Sequence, residues 1–161
     1  MAKFVVKGIE EYALKVSKLG DQTERVAKKA IYEAAAIITD EIRKNIDGIP
    51  VQNGTVPKGE MRKGIPEPAK EGLQQSFGIT KIDKDREGVY NAKIGFDGYN
   101  DIKTKRWPQG QPNQMIARSV ESGTSFMAPH PFIAPAVRKT KAAALKKMSE
   151  VIDEETKKIM G

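Results

Sequence analysis

Cysteine is absent from this chain of 161 residues, and histidine occurs once, as His130. Without thiols the chain can form no disulfide, no thiolate nucleophile and no cysteine-ligated zinc site, and its composition fits a reducing cytoplasm. No apolar run approaches the roughly 18 residues of a membrane span. The first residues reach an acidic pair too early for a secretory signal. We therefore expect a soluble protein that has no contact with a membrane.

The overall composition is that of an ordinary globular protein, with 39% hydrophobic and 30% charged residues. The length favours a single domain over residues 1–161. The net charge is +7 and the sequence pI is about 9.5, which suits nucleic acid or an acidic protein partner, although solubility alone also accounts for it. The positive charge is concentrated late, because residues 136–147 contain five cations and no acid.

The first third of the chain has the periodicity of helices. One predicted helix ends at Gly20 and has its apolar stripe at Ile9, Ala13, Val16 and Leu19. Asp21 and Glu24 then form the pattern of a capping box that opens a second helix, which runs to about Ile46. The second helix has a broad apolar face, with a stripe at Ala27, Ile31, Ala34, Ile38 and Ile42 and a weaker flank at Val26, Ala30 and Ile37.

The middle of the chain predicts two strands between two long loops. Residues 49–72 and 97–114 are rich in glycine and proline and lack periodicity, so we expect mobile loops there. Residues 76–82 and 89–96 predict strands joined by a polar hairpin loop at 83–88. The second strand alternates strictly, with four side chains expected to face inward, namely Tyr90, Ala92, Ile94 and Phe96.

The last third predicts a short helix at 115–123, an extended proline-rich segment and a final helix that runs nearly to the end. Gly123 is the expected stop of the short helix, and Pro135 fits the first turn of the final helix. The final helix has a stripe interrupted by Lys141 and Glu155, whose apolar members are Val137, Leu145, Met148, Ile152 and Ile159. Together these elements predict an α+β fold, with long N-terminal helices and a C-terminal helix packed on a small antiparallel β-sheet, with two long loops.

Catalysis is the first function to consider for the segment 121–140. Ser125 and His130, with Glu121, contain the residue types of a hydrolase triad. However, Ser125 and His130 are five residues apart in an extended, proline-stiffened segment that spans roughly 3.3 Å per residue, and the nucleophile-elbow pattern is missing. One histidine without cysteine also offers few metal ligands. The pattern therefore favours a structural join over a catalytic or metal site.

Binding is the second possibility, and three cationic groups are candidates for an interface. Lys103, Lys105 and Arg106 precede Trp107, which could stack on a base or could simply anchor its loop. Other cations lie in the first loop, whose charge is nearly neutral, and at the start of the final helix, where the helix dipole disfavours cations unless an acidic partner faces them. These are Lys58, Arg62 and Lys63 in the loop, and Arg138, Lys139 and Lys141 in the helix.

The order of these parts resembles a protein family. Its signature is a glutamate-x-glycine-threonine segment, a spacer, and a proline-phenylalanine-x-x-proline-alanine segment that leads into the last helix. Here the signature falls on Glu121, Gly123, Thr124, Pro131, Phe132, Pro135 and Ala136. The chain resembles the tail-completion, or head–tail joining, proteins of tailed bacteriophages, best over 73–98 and 117–160. It departs from them in its long 49–72 loop.

The resemblance implies a non-enzymatic structural protein of the phage neck. Such proteins form a ring, expected to be a hexamer, between the head connector or stopper and the tail tube. The implied location is the virion, after assembly in the host cytoplasm, with no cofactor and with DNA passing through the channel. In this reading Gly123 turns the chain, Thr124 and Ser125 satisfy backbone groups, and Phe132 fills the core. The alternatives are a small basic nucleic-acid-binding module and a hydrolase.

Overall fold

The computed structural model describes residues 2–4 and 22–160. The helix predicted before Gly20, and Asp21 of the capping box, lie outside the described residues. Within these ranges the helices are α1 (Thr23–Asp47), α2 (Glu67–Ser76), α3 (Asn113–Ser122) and α4 (Ile133–Met160). The strands are β1 (Ala2–Phe4), β2 (Phe77–Ile79), β3 (Asp83–Lys84) and β4 (Tyr90–Phe96). Helices packed on a small antiparallel sheet confirm the predicted α+β class.

Helix α1 follows the predicted periodicity over its whole length. All five members of the predicted main stripe are buried, and so are Val26 and Ala30 of the flank, while Ile37 is half-buried. Thr39 is the polar exception on the buried side, and its hydroxyl donates to the carbonyl oxygen of Ala36 at 3.0 Å. The broad apolar face is therefore a core face in which a polar group is satisfied locally.

Strand β4 is the centre of the sheet, whose order is β1-β4-β2, and β3 also pairs with β4. Its register places Ala2 opposite Ile94 and Asp83 opposite Asn91. The four side chains predicted to face inward are all buried. The strict alternation of the sequence thus identified this strand correctly.

The strand predicted at 76–82 is wrong in part, because regular pairing stops after Ile79. Thr80 donates its N–H to the carbonyl oxygen of Lys93, but its side-chain hydroxyl accepts the N–H of Lys93, so a side chain replaces the backbone in the ladder. Pairing resumes only at Asp83 and Lys84, which the sequence predicts to lie in the hairpin loop. The turn itself is closed by the Asp85 carboxylate, which accepts two backbone N–H groups.

The first loop is shorter than predicted, because residues 67–72 belong to α2. Pro66 is the N-cap of this helix and Pro68 lies in its first turn, where proline loses no intrahelical hydrogen bond. The second loop likewise ends at Pro112, the N-cap of α3. Prolines that the sequence pattern assigned to loops therefore begin helices. The mobility of both loops stays a prediction.

Helix α4 begins at Ile133, and its buried face coincides with the predicted stripe only in part. Met148 and Ile152 are buried as predicted, whereas Val137 and Ile159 are half-buried and Leu145 is 39% exposed. The other buried positions are Ala136, Thr140, Ala144, Val151 and Glu155. Small side chains fill the face because close packing needs them there, although they carry little weight in a hydrophobicity pattern.

Glu155, predicted to interrupt the apolar stripe, lies on the buried face of α4. The residue is only 3% exposed, and its carboxylate lies 2.6 Å from Lys29 Nζ, 3.2 Å from Lys158 Nζ and 3.7 Å from Arg25 Nη2. Hydrogen bonds from Lys29 and then Lys158 hold the pKa of this carboxyl below its ordinary value. A buried carboxylate with several cations is a structural ion cluster.

The described residues divide into two compact units, one formed by residues 40–78 and 95–139, and the other by 2–4, 22–39, 79–94 and 140–160. In the first unit Phe96 contacts Phe77 and Phe132, at ring-centroid distances of 5.1 Å and 6.0 Å. In the second unit the core includes Val26, Ile31, Met148 and Ile152. The prediction of a single domain stays a prediction.

Candidate functional site

The segment from Glu121 to Pro135, called the junction below, connects α3 to α4 in the first unit. Helix α3 ends at Ser122, and the N–H of Gly123 donates to the carbonyl oxygen of Ser119 at 2.8 Å. Gly123 has a φ of 72°, and a Cβ at this position would lie 2.9 Å from Cδ of Pro129. Both the backbone conformation and the lack of space therefore require glycine here.

A tight turn follows the glycine. Thr124 donates its N–H to the carbonyl oxygen of Met127 at 2.9 Å, and its hydroxyl accepts the N–H of Phe126 at 3.1 Å. His130 then donates its N–H to the carbonyl oxygen of Val120 at 2.7 Å, which returns the chain to α3. The predicted role of Thr124 in satisfying backbone groups fits these contacts, whereas Ser125 is an exposed residue of the turn.

Glu121 caps the N-terminus of α4. Its Oε2 accepts the N–H groups of Phe132 and Ile133 at 2.8 Å each, and its Oε1 accepts that of Ala134 at 2.9 Å. The next residue, Pro135, has no N–H to satisfy. Since the first four N–H groups of a helix have no intrahelical partner, one carboxylate and one proline account for this entire helix end.

Phe132 fixes the same helix end to the core of the first unit. It is 1% exposed, and its carbonyl oxygen accepts Nδ2 of Asn45 at 3.0 Å. Pro131, just before it, is exposed. The resemblance gave Phe132 the role of filling the core, and its burial fits that role, while the hydrogen bond from Asn45 had no signal in the sequence.

The catalytic alternative finds little support in the geometry of the junction. Both carboxylate oxygens of Glu121 accept backbone N–H groups, and Ser125 and His130 are exposed. No hydrogen bond joins the side chains of Glu121, Ser125 and His130 to one another. Among residues 2–4 and 22–160, no group of three or more histidine, aspartate or glutamate side chains is placed to hold a metal ion.

The first loop, 49–66, is braced from inside by Arg62. Its Nη1 donates to the carbonyl oxygen of Gly54 at 2.9 Å, its Nη2 donates to that of Gln52, and its Nε donates to that of Gly64 at 3.4 Å. Guanidinium groups suit several planar acceptors at once. Arg62 was a candidate interface residue, and the structure places its side chain among the carbonyl groups of its own loop.

The backbone of Arg62 also joins the first loop to the junction. Its N–H donates to the carbonyl oxygen of Phe126 at 2.8 Å, and its carbonyl oxygen accepts the N–H of Ala128 at 3.0 Å. The two other candidates of this loop, Lys58 and Lys63, have exposed side chains. The long loop and the signature segment are thus parts of one local structure, which the sequence did not reveal.

The pairing of these segments leaves two large apolar side chains exposed. Phe126 is 76% exposed and Met61 is 44% exposed, and the residues that follow them, Met127 and Arg62, form a parallel bridge. Phe126 occupies a turn whose backbone is hydrogen-bonded on both sides, so its ring is displayed from a fixed backbone. Sequence reasoning missed this pair because nothing in the spacing shows which side of a turn is exposed.

The second loop forms a finger of residues 99–112, closed at its base by Asn100. Asn100 is 4% exposed, and its Oδ1 accepts the N–H groups of Ile102 and Gln111 at 3.0 Å each. Gly110 lies so close that a Cβ there would be 1.9 Å from the carbonyl oxygen of Asn100. Tyr99 and Pro112 form an antiparallel bridge. The finger therefore has a firmly bonded base.

The four candidate residues of the finger lie at its tip. Thr104 and Trp107 exchange backbone hydrogen bonds of 3.0 Å and 3.1 Å, which make a tight turn with Lys105 and Arg106 at its centre. Lys103, Lys105 and Arg106 are exposed and Trp107 is half-buried. The guanidinium carbon of Arg106 lies 5.6 Å from the centroid of the Trp107 ring, within the range of a cation–π contact.

The cations at the start of α4 do not share one environment. Lys139 lies 2.8 Å from the Glu41 carboxylate and, by this hydrogen bond, lowers the pKa of Glu41. Arg138 and Lys141 are exposed and form no ion pair with another described residue. The Glu121 carboxylate at the same helix end supplies the negative charge that the helix dipole favours. Arg138 and Lys141 thus remain available to an acidic partner.

Comparisons with protein-family models, with curated proteins and with solved structures found no match to this chain. None of the helices that the structure describes combines the length and the apolar character that a membrane crossing requires.

Proposed function

We propose that this protein is a non-enzymatic structural component of the neck of a tailed bacteriophage or prophage particle. It forms a ring that completes the tail and joins it to the head. The observation that carries the proposal is the junction, where the signature Glu121, Gly123, Thr124, Phe132 and Pro135 together build one helix-to-helix join. This coherence supports the resemblance, because residues matched only by chance would have no reason to share a structural task.

The chemistry of the junction supports a building role. The carboxylate of Glu121, which a hydrolase would use to orient its histidine, accepts backbone N–H groups instead. The hydroxyl of Thr124 likewise accepts a backbone N–H group. A carboxylate that satisfies the N-terminal N–H groups stabilises the start of α4. These side chains thus hold the local structure of the junction, as expected of a building block.

In a ring, each subunit meets its two neighbouring copies through two different surfaces, because head-to-tail contacts close by rotation. To one of these surfaces we assign Phe126 and Met61, whose exposed apolar area a neighbouring copy would bury. A separate surface with Arg138 and Lys141 suits an acidic surface on the head connector or stopper, or on the tail tube. Aromatic and arginine side chains are the residue types most enriched where binding energy concentrates.

Deletion of the coding sequence from its parent phage or prophage, followed by electron microscopy of the lysate, tests this proposal. Filled heads beside unjoined tails, or tails of abnormal length, are the expected result, and a length defect would assign the tail-terminating role. Complementation with the Phe126→Ser variant should fail, while the Val56→Ser variant, which changes a half-buried side chain of the first loop, should complement. Normal joined particles from the deletion would contradict the proposed function.

A further inference from the structure

The tip of the finger, residues 103–107, is the most concentrated positive feature of the first unit. Residues 102–120 contain four cations and no acid. Lys103, Lys105 and Arg106 form no ion pair with another described residue, whereas Lys139, Lys146 and Lys147 each lie within 4 Å of a glutamate oxygen. We propose that this tip binds the phosphate backbone of double-stranded DNA.

The structure of the finger suits a binding site for phosphate groups of DNA. A tip of mobile lysines would have to be ordered on binding, at a cost in conformational entropy. Here the backbone is fixed twice, by Asn100 at the base and by the Thr104–Trp107 turn at the end. Lys105 and Arg106 therefore leave the turn from fixed positions, and only their side chains lose freedom when they meet phosphates.

The contact between Arg106 and Trp107 favours binding to the phosphate backbone of DNA over stacking on its bases. Sequence reasoning had suggested that Trp107 could stack on a base, which requires an open ring face. Trp107 is half-buried and one face of its ring carries the Arg106 guanidinium, 5.6 Å from the centroid. The stack also orients the guanidinium, which binds phosphate in a planar, two-pronged manner. The expected ligand is thus duplex DNA, bound without regard to sequence.

The residues at the tip favour DNA over an acidic protein as the partner. The tip displays three cations within four residues, and its one aromatic side chain, Trp107, is half-buried with the Arg106 guanidinium over its ring, while the exposed Tyr99 lies at the base of the finger. Protein interfaces, in contrast, concentrate their binding energy in buried aromatic and apolar anchors. In Phe126 the first unit has such an anchor, but that residue belongs to the junction. The DNA site stands independently of the proposed neck role, because it depends on the finger alone.

The test is a titration of the full chain with a fluorescein-labelled 20-base-pair duplex of arbitrary sequence, followed by anisotropy. If the tip makes three phosphate contacts, a plot of the logarithm of the affinity against the logarithm of the salt concentration should have a slope of about −2.7. The affinity should then fall about 20-fold between 50 and 150 mM salt. A variant with Lys103→Gln, Lys105→Gln and Arg106→Gln should bind at least about 10-fold more weakly at 50 mM salt and lose most of this slope.

The control variant removes the same charge elsewhere. Lys81→Gln, Arg86→Gln and Lys157→Gln also replace two lysines and one arginine, all exposed and without an ion pair among the described residues. This variant should keep the wild-type affinity within about 3-fold and keep the slope. Equal loss in both variants would overturn the proposal, because it would show that the net charge of the chain, and not the tip, attracts DNA.

The single tryptophan gives a second readout at the tip itself. Trp107 emission should change during the titration with the same midpoint as the anisotropy, since no other tryptophan contributes. An anisotropy change without a change in Trp107 emission would contradict the proposal that DNA binds at the tip. A competition experiment gives a further test. If poly-L-glutamate displaces the labelled duplex at a lower concentration of charge than unlabelled duplex does, the proposal is contradicted, because an acidic protein surface is then the preferred partner.

Discussion

Replacing Glu121 by alanine should destabilise the protein, because three N–H groups of α4 then lose their acceptor. These hydrogen bonds are 2.8 to 2.9 Å long, and two of them are partly buried. Loss of an N-cap side chain costs about 1–2 kcal/mol, and loss of its charge at the helix N-terminus costs about 0.3–1 kcal/mol more. We therefore expect a decrease of about 2 kcal/mol in the free energy of unfolding.

Urea unfolding monitored by circular dichroism measures this decrease. With an m-value of about 2 kcal/mol/M, the midpoint should fall by about 1 M. The matched control is Glu154→Ala, which removes an exposed glutamate of α4 that has no ion pair with another described residue, and it should change the free energy by no more than about 0.5 kcal/mol. Glu121→Gln keeps an acceptor but loses the charge, so its effect should be about half that of alanine. Equal midpoints for Glu121→Ala and Glu154→Ala would refute the capping role.

Three further predictions follow from the contacts above. Glu155→Gln should destabilise the protein at neutral pH, and since the pKa of Glu155 is held below the ordinary 4.5, the difference from wild type should persist above that pH and disappear as the pH falls further. Urea midpoints at pH 7, 5 and 3 measure this, and a difference that stays constant to pH 3 would argue against the ion cluster. Gly110→Ala should lower the thermal midpoint more than Gly54→Ala, because both glycines have a positive φ but only Gly110 packs against the Asn100 carbonyl; equal effects would mean that the base of the finger is not closely packed. Phe126→Ser should leave the free energy of unfolding in urea unchanged within about 0.5 kcal/mol but reduce assembly measured by sedimentation, and unaltered assembly would remove Phe126 from the ring contact.

The elements that the sequence predicted well are those with a strong, regular pattern. In α1 and β4 the apolar residues repeat at 3.6 and at 2 residues, and their burial follows that spacing. The start of α2 was missed because Pro66 and Pro68 resemble loop residues until their place in a first turn is known. The buried face of α4 was predicted only at Met148 and Ile152, because most of its other positions are alanines, a threonine and a glutamate, to which a hydrophobicity pattern gives little weight.

The candidate site was predictable in its residues but not in its contacts. The signature pointed to Glu121, Gly123 and Phe132, and the positive φ of Gly123 and the burial of Phe132 agree with their expected roles. The capping of α4 by Glu121 spans 11 to 13 residues, so no local capping pattern reveals it. The brace formed by Arg62 depends on how the first loop folds back on itself, which short-range patterns do not determine.

Locating the protein in purified particles tests the central claim most directly. Cryo-electron microscopy of the neck should show this protein as a closed ring between head and tail, with the same number of copies in every particle. Purified infectious particles that lack the protein, as judged by mass spectrometry, would contradict the account.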